Sequence, residues 1–191
     1  MALLQSAPEL LTRAQRGDEA AFAELVRAYQ TPVFNYVFRL IGNRTLAEDL
    51  TQDVFLRVHQ GLPRFTLRAK FTTWLFQVTK NRVLDEFRAR ERRPQSVAAI
   101  EDAGLTMVDP PIEEAALIDA LWRAIAALPS DLKAALLLRD VVGMPYAEIA
   151  ETLEISLANV KWRIYRARED VAQALDREGV GPETRLASTA M

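Results

Sequence analysis

An all-α protein is predicted: two small helical domains joined by a flexible acidic linker, the second carrying a helix-turn-helix. Three observations predict it. Apolar residues recur at three- and four-residue spacing along most of the 191 residues, with no alternating strand pattern set between hairpin turns. The periodicity dissolves between 95 and 111, where Ser, Ala, Gly and Asp precede the pair Pro110-Pro111. Two strongly basic helical segments, one from Thr73 to Arg93 and one from Leu157 to Arg168, fall on either side of that break.

The first domain is assigned to residues 1–94. A helix over Ala7 to Arg16 stops at Gly17, and Asp18 caps the next, which carries Phe22, Leu25, Val26 and Tyr29 on one face. Thr31-Pro32 restarts the helix, with proline at its first position, and Gly42-Asn43 ends it. Thr45-Leu-Ala-Glu48 reads as a capping box opening a helix to Gln60. Its buried stripe is Leu46, Leu50, Val54 and Val58, while Asp49, Gln52, Asp53 and Leu56 share another face. Gly61-Leu-Pro63 breaks the chain, and a short basic loop leads to Thr72 or Thr73, the cap of the first basic helix. Pro94 terminates that helix.

Residues 95–111 form the linker and 112–177 the second domain. Its first helix carries the stripe Leu117, Leu121, Ile125 and Leu128, and Pro129-Ser130 breaks and recaps the chain. Leu132, Leu136, Leu137 and Val141 mark the next helix, closed by Gly143. Pro145 starts a short helix with Ile149, Ala150 and Leu153. Glu154-Ile155-Ser156 makes the turn, and Ser156 caps the second basic helix. The tail, 178–191, holds Gly179, Gly181 and Pro182 and is expected to be disordered.

Composition excludes several functions. There is no cysteine, so disulfides, thiol catalysis and cysteine-built zinc sites are out. A single histidine, His59, argues against a histidine metal site or a Ser-His-Asp triad, and it reads as structural. No metal, cofactor or catalytic cluster is implied, and an enzyme is the weakest reading. The N-terminus lacks the basic start and long apolar run of a signal peptide, and no stretch of about eighteen apolar residues is present to span a membrane. A cytoplasmic protein is expected. The net charge of −2 hides an uneven distribution. Between Arg64 and Arg93 nine Lys/Arg face three Asp/Glu, whereas Ala99 to Ala120 holds six Asp/Glu and no Lys/Arg.

Both basic helices have the chemistry of nucleic-acid readers. Ala147-Glu-Ile-Ala150, Ile155, Val160 and Ile164 have helix-turn-helix spacing: Ala150 permits close approach, Ile155 plugs the core, and Val160 and Ile164 anchor the second helix. Lys161, Trp162 and Tyr165 are then candidates for bases or sugars, and Arg163, Arg166 and Arg168 for phosphates. In the first basic helix Trp74, Gln77, Asn81, Asp85 and Arg88 share a face, opposite an apolar stripe of Phe76, Val83 and Phe87. With Arg82 on the helix and Arg64, Phe65, Arg68, Lys70 and Phe71 before it, this face suits single-stranded DNA. Aromatic rings stack on bases, amides bond their edges, and a base pulled from the stack could be held there. For Trp74, Phe65 and Phe71 simple core packing stays open, and Asp85 reads as orienting an arginine.

Three motifs in order then resemble the bacterial extracytoplasmic-function sigma factors. The first runs from Gly17-Asp-Glu-Ala-Ala-Phe22 to Ala47-Glu-Asp-Leu-Thr-Gln-Asp-Val-Phe55. The second is Phe71-Thr-Thr-Trp-Leu75 with Val78, Asn81, Asp85 and Arg88. The third is Ala127-Leu-Pro129, Leu138-Arg139, Gly143, Tyr146-Ala-Glu-Ile-Ala150, Ile155-Ser156 and Val160-Lys161, with Arg163, Arg166, Ala167 and Arg168. The resemblance implies two domains that clamp core RNA polymerase, with Asp49, Gln52 and Asp53 docking its largest subunit. It implies −10 opening and base capture by the first basic helix, with Asn81 near the pocket. It also implies −35 reading by the helix-turn-helix and a linker threading toward the RNA-exit path. Chemistry belongs to the polymerase. Members are commonly held inactive by an anti-sigma factor, often membrane-anchored. One departure is Trp162, where the family usually has serine or threonine. The competing readings are a stand-alone dimeric helix-turn-helix regulator, which leaves the N-terminal match unexplained, and a sigma-mimicking signalling protein, which would carry a receiver domain.

Overall fold

The computed structural model describes residues 8–66, 70–91 and 112–180. Among them there are eight α-helices and one 3-10 turn and no strand. Helices α1 (Pro8–Gln15), α2 (Glu19–Ile41), α3 (Arg44–Gly61) and α4 (Phe71–Glu91) form one packed group, with the 3-10 turn Leu62–Arg64 between α3 and α4. Helices α5 (Ile112–Ala126), α6 (Ser130–Asp140), α7 (Tyr146–Leu153) and α8 (Leu157–Arg177) form the other. Helix α4 lies against α7 and α2 against α6, so the two groups touch. Arg68, Pro94, the linker 95–111 and the tail beyond 180 lie outside the described residues. No helix among the described residues is long and apolar enough to cross a membrane.

Capping explains most boundaries. Asp18 accepts the Ala21 N–H at 3.0 Å and starts α2, and Gly42, at φ 74°, ends it by donating to the Phe38 carbonyl. That backbone bond and the Arg13 guanidinium hold the Asp18 carboxyl below its usual range. Four expected starts differ. Pro32 does not restart a helix but lies inside α2, which continues through it. Proline removes one backbone donor, but buried Tyr29, Val33, Tyr36 and Val37 on both sides of it hold the helix to the core. Helix α3 is capped by Asn43, whose Oδ1 accepts from the Leu46 N–H at 2.8 Å, rather than by a box starting at Thr45. Helix α4 starts at Phe71, and buried Thr72 and Thr73 are inside it; the Lys70 carbonyl accepts from the Trp74 N–H. Likewise Ser130 is the first residue of α6 and not its cap.

The first group packs Leu25, Tyr29, Tyr36, Leu50, Val54, Leu75 and Phe76 out of water, with Tyr36 edge-on to Phe76 at 5.5 Å between centroids. Burying a side chain of this size contributes roughly 1.5–3 kcal/mol. Leu46, placed on that stripe, is only half-buried. The second group is closed by Leu137, Leu138, Met144, Ile149, Val160 and Ile164. Ala135 and Ala167 are fully buried in it, and a side chain without γ atoms allows close helix approach there. Val141, expected on the apolar stripe of α6, lies past the helix end and is exposed.

Candidate nucleic-acid interfaces

Helix α8 presents the first candidate surface. Glu154, at φ 59° in the left-handed region, ends α7, and Ser156 accepts the Asn159 N–H at 3.2 Å to start α8. Val160, Ile164, Ala167 and Val171 then face inward at helical spacing. That pins the opposite face outward: Trp162 is 58% exposed, Tyr165 63%, and Lys161 is exposed beside them. An indole and a phenol left in water at the start of the second helix of a helix-turn-helix suit contact with bases or sugars.

The arginines divide. Arg163 turns back to Asn159 Oδ1 at 3.2 Å and to Asp131 at 3.5 Å. Arg166 pairs with Asp170 at 3.0 Å. Arg168 holds Asp140 at 2.6 Å, and that carboxylate raises its pKa above the ordinary guanidinium value. All three cations are balanced by carboxylates of their own helical group, which lowers the local positive potential.

The second surface surrounds the start of α4. Trp74 is half-buried, 4.9 Å from Phe65 and 5.9 Å from Phe71 between ring centroids, and Tyr29 closes on Phe71 at 5.3 Å. The indole rests on Gly61, where a Cβ would stand 3.0 Å from it. Phe71 is buried, whereas Arg64 and Asn81 are exposed. Arg82 does not project freely: its guanidinium bonds Asp53 at 3.0 Å and Glu86 at 3.4 Å and is 16% exposed. Asp85 receives Arg57 at 3.1 Å and has Arg88 at 3.9 Å, in keeping with an arginine-orienting role. On α3, Asp49 and Gln52 are exposed, Leu56 is 61% exposed beside them, and Asp53 is tied to Arg82. His59 stacks edge-on against Phe22 at 4.8 Å, as a structural residue would.

One feature was missed in the sequence. Glu148, Glu151 and Glu154 of α7 and its end lie against the basic helix α4. Glu148 Oε1 pairs with Lys70 Nζ at 2.6 Å, and its Oε2 accepts from the Thr72 hydroxyl at 3.3 Å. Gln77 donates to the Glu151 carbonyl at 2.9 Å, and Lys80 Nζ meets Glu154 Oε1 at 2.6 Å. A second contact places Arg39 of α2 3.3 Å from the centre of the Trp122 ring of α5. Burial against that ring lowers the Arg39 pKa to about 10. The three-residue spacing of Glu148, Glu151 and Glu154 is the sequence signal that could have pointed to an acidic strip; nothing in the sequence names its partner on α4.

Residues 25–93 match sigma-70 region 2, and residues 118–171 match sigma-70 region 4. The RNA polymerase sigma-H factor of Pseudomonas aeruginosa is 34% identical over 179 residues, covering 87% of this chain and 92% of that protein. The ECF sigma factor SigW of Bacillus subtilis is 30% identical over 178 residues, 86% of this chain and 94% of SigW. The ECF sigma-E factor of Escherichia coli is 34% identical over 174 residues, 85% of this chain and 90% of that factor. Among solved structures, CnrH in complex with the cytosolic domain of CnrY superposes with a TM-score of 0.69 at 25% identity, over 88% of this chain and 96% of that one. The sigma factor RpoE of Bartonella quintana, in complex with the anti-sigma factor NepR, gives 0.67 at 21% identity over 81% and 96%, a likeness of fold.

Proposed function

We propose how the surfaces of this chain, which belongs to the extracytoplasmic-function sigma factors of RNA polymerase, divide promoter recognition between them. As a sigma factor it binds core polymerase and directs promoter-specific initiation. The observation that carries the division is positional: region 2 covers the basic helix α4 with its aromatic cluster, and region 4 covers the helix-turn-helix of α7 and α8. On this reading the domains run 1–94 and 112–177, joined by 95–111.

Within region 2 the exposed Asp49 and Gln52, with Asp53 and Leu56, form the polymerase-docking face. Asp53 has a second role, fixing Arg82 on α4 at 3.0 Å. Arg64, Lys70, Asn81 and Arg88 are assigned to the melted −10 strand, with Trp74 and Phe65 as the stacking platform and Phe71 as its support; Arg68 belongs with them by sequence position. Arg82 serves that face by position more than by direct contact, since its charge is already balanced. In region 4, Lys161, Trp162 and Tyr165 meet base edges and sugars of −35 duplex DNA. Arg163, Arg166 and Arg168 reach phosphates after exchanging their present carboxylate partners.

The protein supplies no bond chemistry of its own and acts in the cytoplasm, where the polymerase is. Two neighbours in fold were solved with the cytosolic domain of CnrY and with the anti-sigma factor NepR, which supports an anti-sigma partner here as well.

Run-off transcription with purified core polymerase on genomic DNA tests the whole reading. A specific transcript that depends on this protein is expected, and Asn81→Ala should abolish it while leaving core binding intact. No specific transcript, with tight dimeric binding of duplex DNA by the protein alone, would instead establish the stand-alone regulator.

A further inference from the structure

We infer that the acidic strip of α7 stands in for a nucleic-acid strand along the Lys70–Lys80 stretch of α4, so that the free protein masks part of its own −10 surface with its −35 domain. The inference rests on the assignment of α4 to the −10 strand. Four side chains of α4 and the residue before it are engaged by α7 and its end: Lys70 and Lys80 by carboxylates, Thr72 by a carboxylate and Gln77 by a backbone carbonyl. These are the acceptors that a phosphodiester backbone with base edges would offer: anionic oxygens to cations, neutral oxygens to an amide. Glu148 is buried at this contact, with its side chain 12% exposed, and its carboxylate oxygens bond Lys70 and Thr72 of the other helical group. The Glu148 carboxylate also holds Lys70 above the ordinary ammonium pKa, and Lys80 holds Glu154 below the ordinary carboxylate value.

Recognition residues of α8 stay open in this arrangement, with Trp162 and Tyr165 in water. The mask therefore engages the Lys70 and Gln77 side of the −10 reader, leaves Arg64 and Asn81 exposed, and does not touch the −35 reader. Both ion pairs have one well-exposed member, Lys70 at 57% and Glu154 at 68%, so the pairs are weak, salt-sensitive and readily exchanged for DNA once polymerase draws the domains apart.

The absence of cysteine makes the test clean, because two introduced cysteines are the only labelling sites. Full-length protein carrying Ala20→Cys and Gln173→Cys, spin-labelled at exposed positions of α2 and α8, reports the distance between the domains. The variant Glu148→Gln with Glu154→Gln keeps side-chain shape and removes both charges. It should lengthen the label distance and tighten binding of a fluorescein-labelled oligothymidylate by about ten-fold, as expected when the open state rises from a minor to the major population. The control Glu9→Gln with Glu19→Gln changes net charge equally at exposed sites of α1 and α2 and should leave the distance unchanged and affinity nearly so. Lys80→Gln should open the labels from the other side of the pair, independently of any folding effect on α7.

Unchanged distances in both the glutamate and the Lys80 variants would overturn the inference. So would lengthened distances with an affinity gain no larger than the control's. Label distances are read without DNA and report the mask alone, whereas failure of the −10 assignment shows as lengthened distances with no affinity gain and as Asn81→Ala supporting run-off transcription like the parent protein, so the two failures are told apart.

Discussion

At Gly61 a missing side chain sets the position of an indole. A Cβ there would press on Trp74, whose ring is already packed against Phe65 and Phe71. Gly61→Ala should therefore shift the Trp74 ring and lower open-complex formation, with the helical circular dichroism spectrum retained; an unchanged −10 melting rate would remove Trp74 from the platform. Asp49 and Asp53 separate two roles that sequence placed together. Asp49→Lys should weaken core-polymerase binding and leave thermal unfolding unchanged. Asp53→Lys should weaken both, because it also puts a cation opposite Arg82; equal melting curves for the two variants would contradict this. Asn43→Ala tests the cap that the sequence placed at Thr45, and should cost about 1 kcal/mol in urea unfolding. The residue scale was legible where one side chain acts locally, as at Asp18 and Ser156. It was less so at Arg82, because three-residue charge spacing does not say whether a guanidinium meets a carboxylate across helices or reaches out to DNA.

Among the elements, α2 shows where local rules yield. Pro32 looked like a helix start because proline suits first turns, yet four buried side chains around it keep one continuous helix. Tertiary packing outweighs the loss of one hydrogen bond. Element existence was otherwise plain in the apolar periodicity, and starts were missed by one to three residues where Thr or Ser competed with a neighbour for the capping role, as at Asn43 against Thr45. The core face of α4 was also legible: Phe76 and Val83 are buried as the stripe required, with Phe87 half-buried at its edge. Phe76→Ala should cost about 3–5 kcal/mol, measured by thermal or urea unfolding, since Tyr36 and the α2–α3 core close on that ring.

For the whole molecule, two helical groups were foreseen but their contact was not. Periodicity reports which face of a helix is apolar; it is silent on which polar face meets which. Part of the contact is polar, Glu148 and Glu154 with Lys70 and Lys80, and no apolar stripe announced that part. Its pH dependence follows from the shifted groups. Glu154 is lowered, so its contribution is complete above its ordinary value of 4.5 and is lost as pH falls through the lower bound-state value. Lys70 is raised, so its contribution is complete below its ordinary value of 10.5 and is lost as pH rises through the higher one. Small-angle scattering of the free protein should therefore give a radius of gyration that is flat between about pH 6 and about pH 9 at low salt, and that grows when salt is raised to about 0.5 M. A change in size within that window at constant salt would mean that other groups control the contact.

Arg39 seated 3.3 Å from the centre of the Trp122 ring turns the junction between the groups into an optical gauge. An indole facing a half-buried guanidinium emits from a different electrostatic environment than one released into water. The chain thus carries an intrinsic fluorophore at the seam between its groups, and with Trp74 and Trp162 replaced by phenylalanine its emission would follow any separation in real time as polymerase binds, with no attached dye.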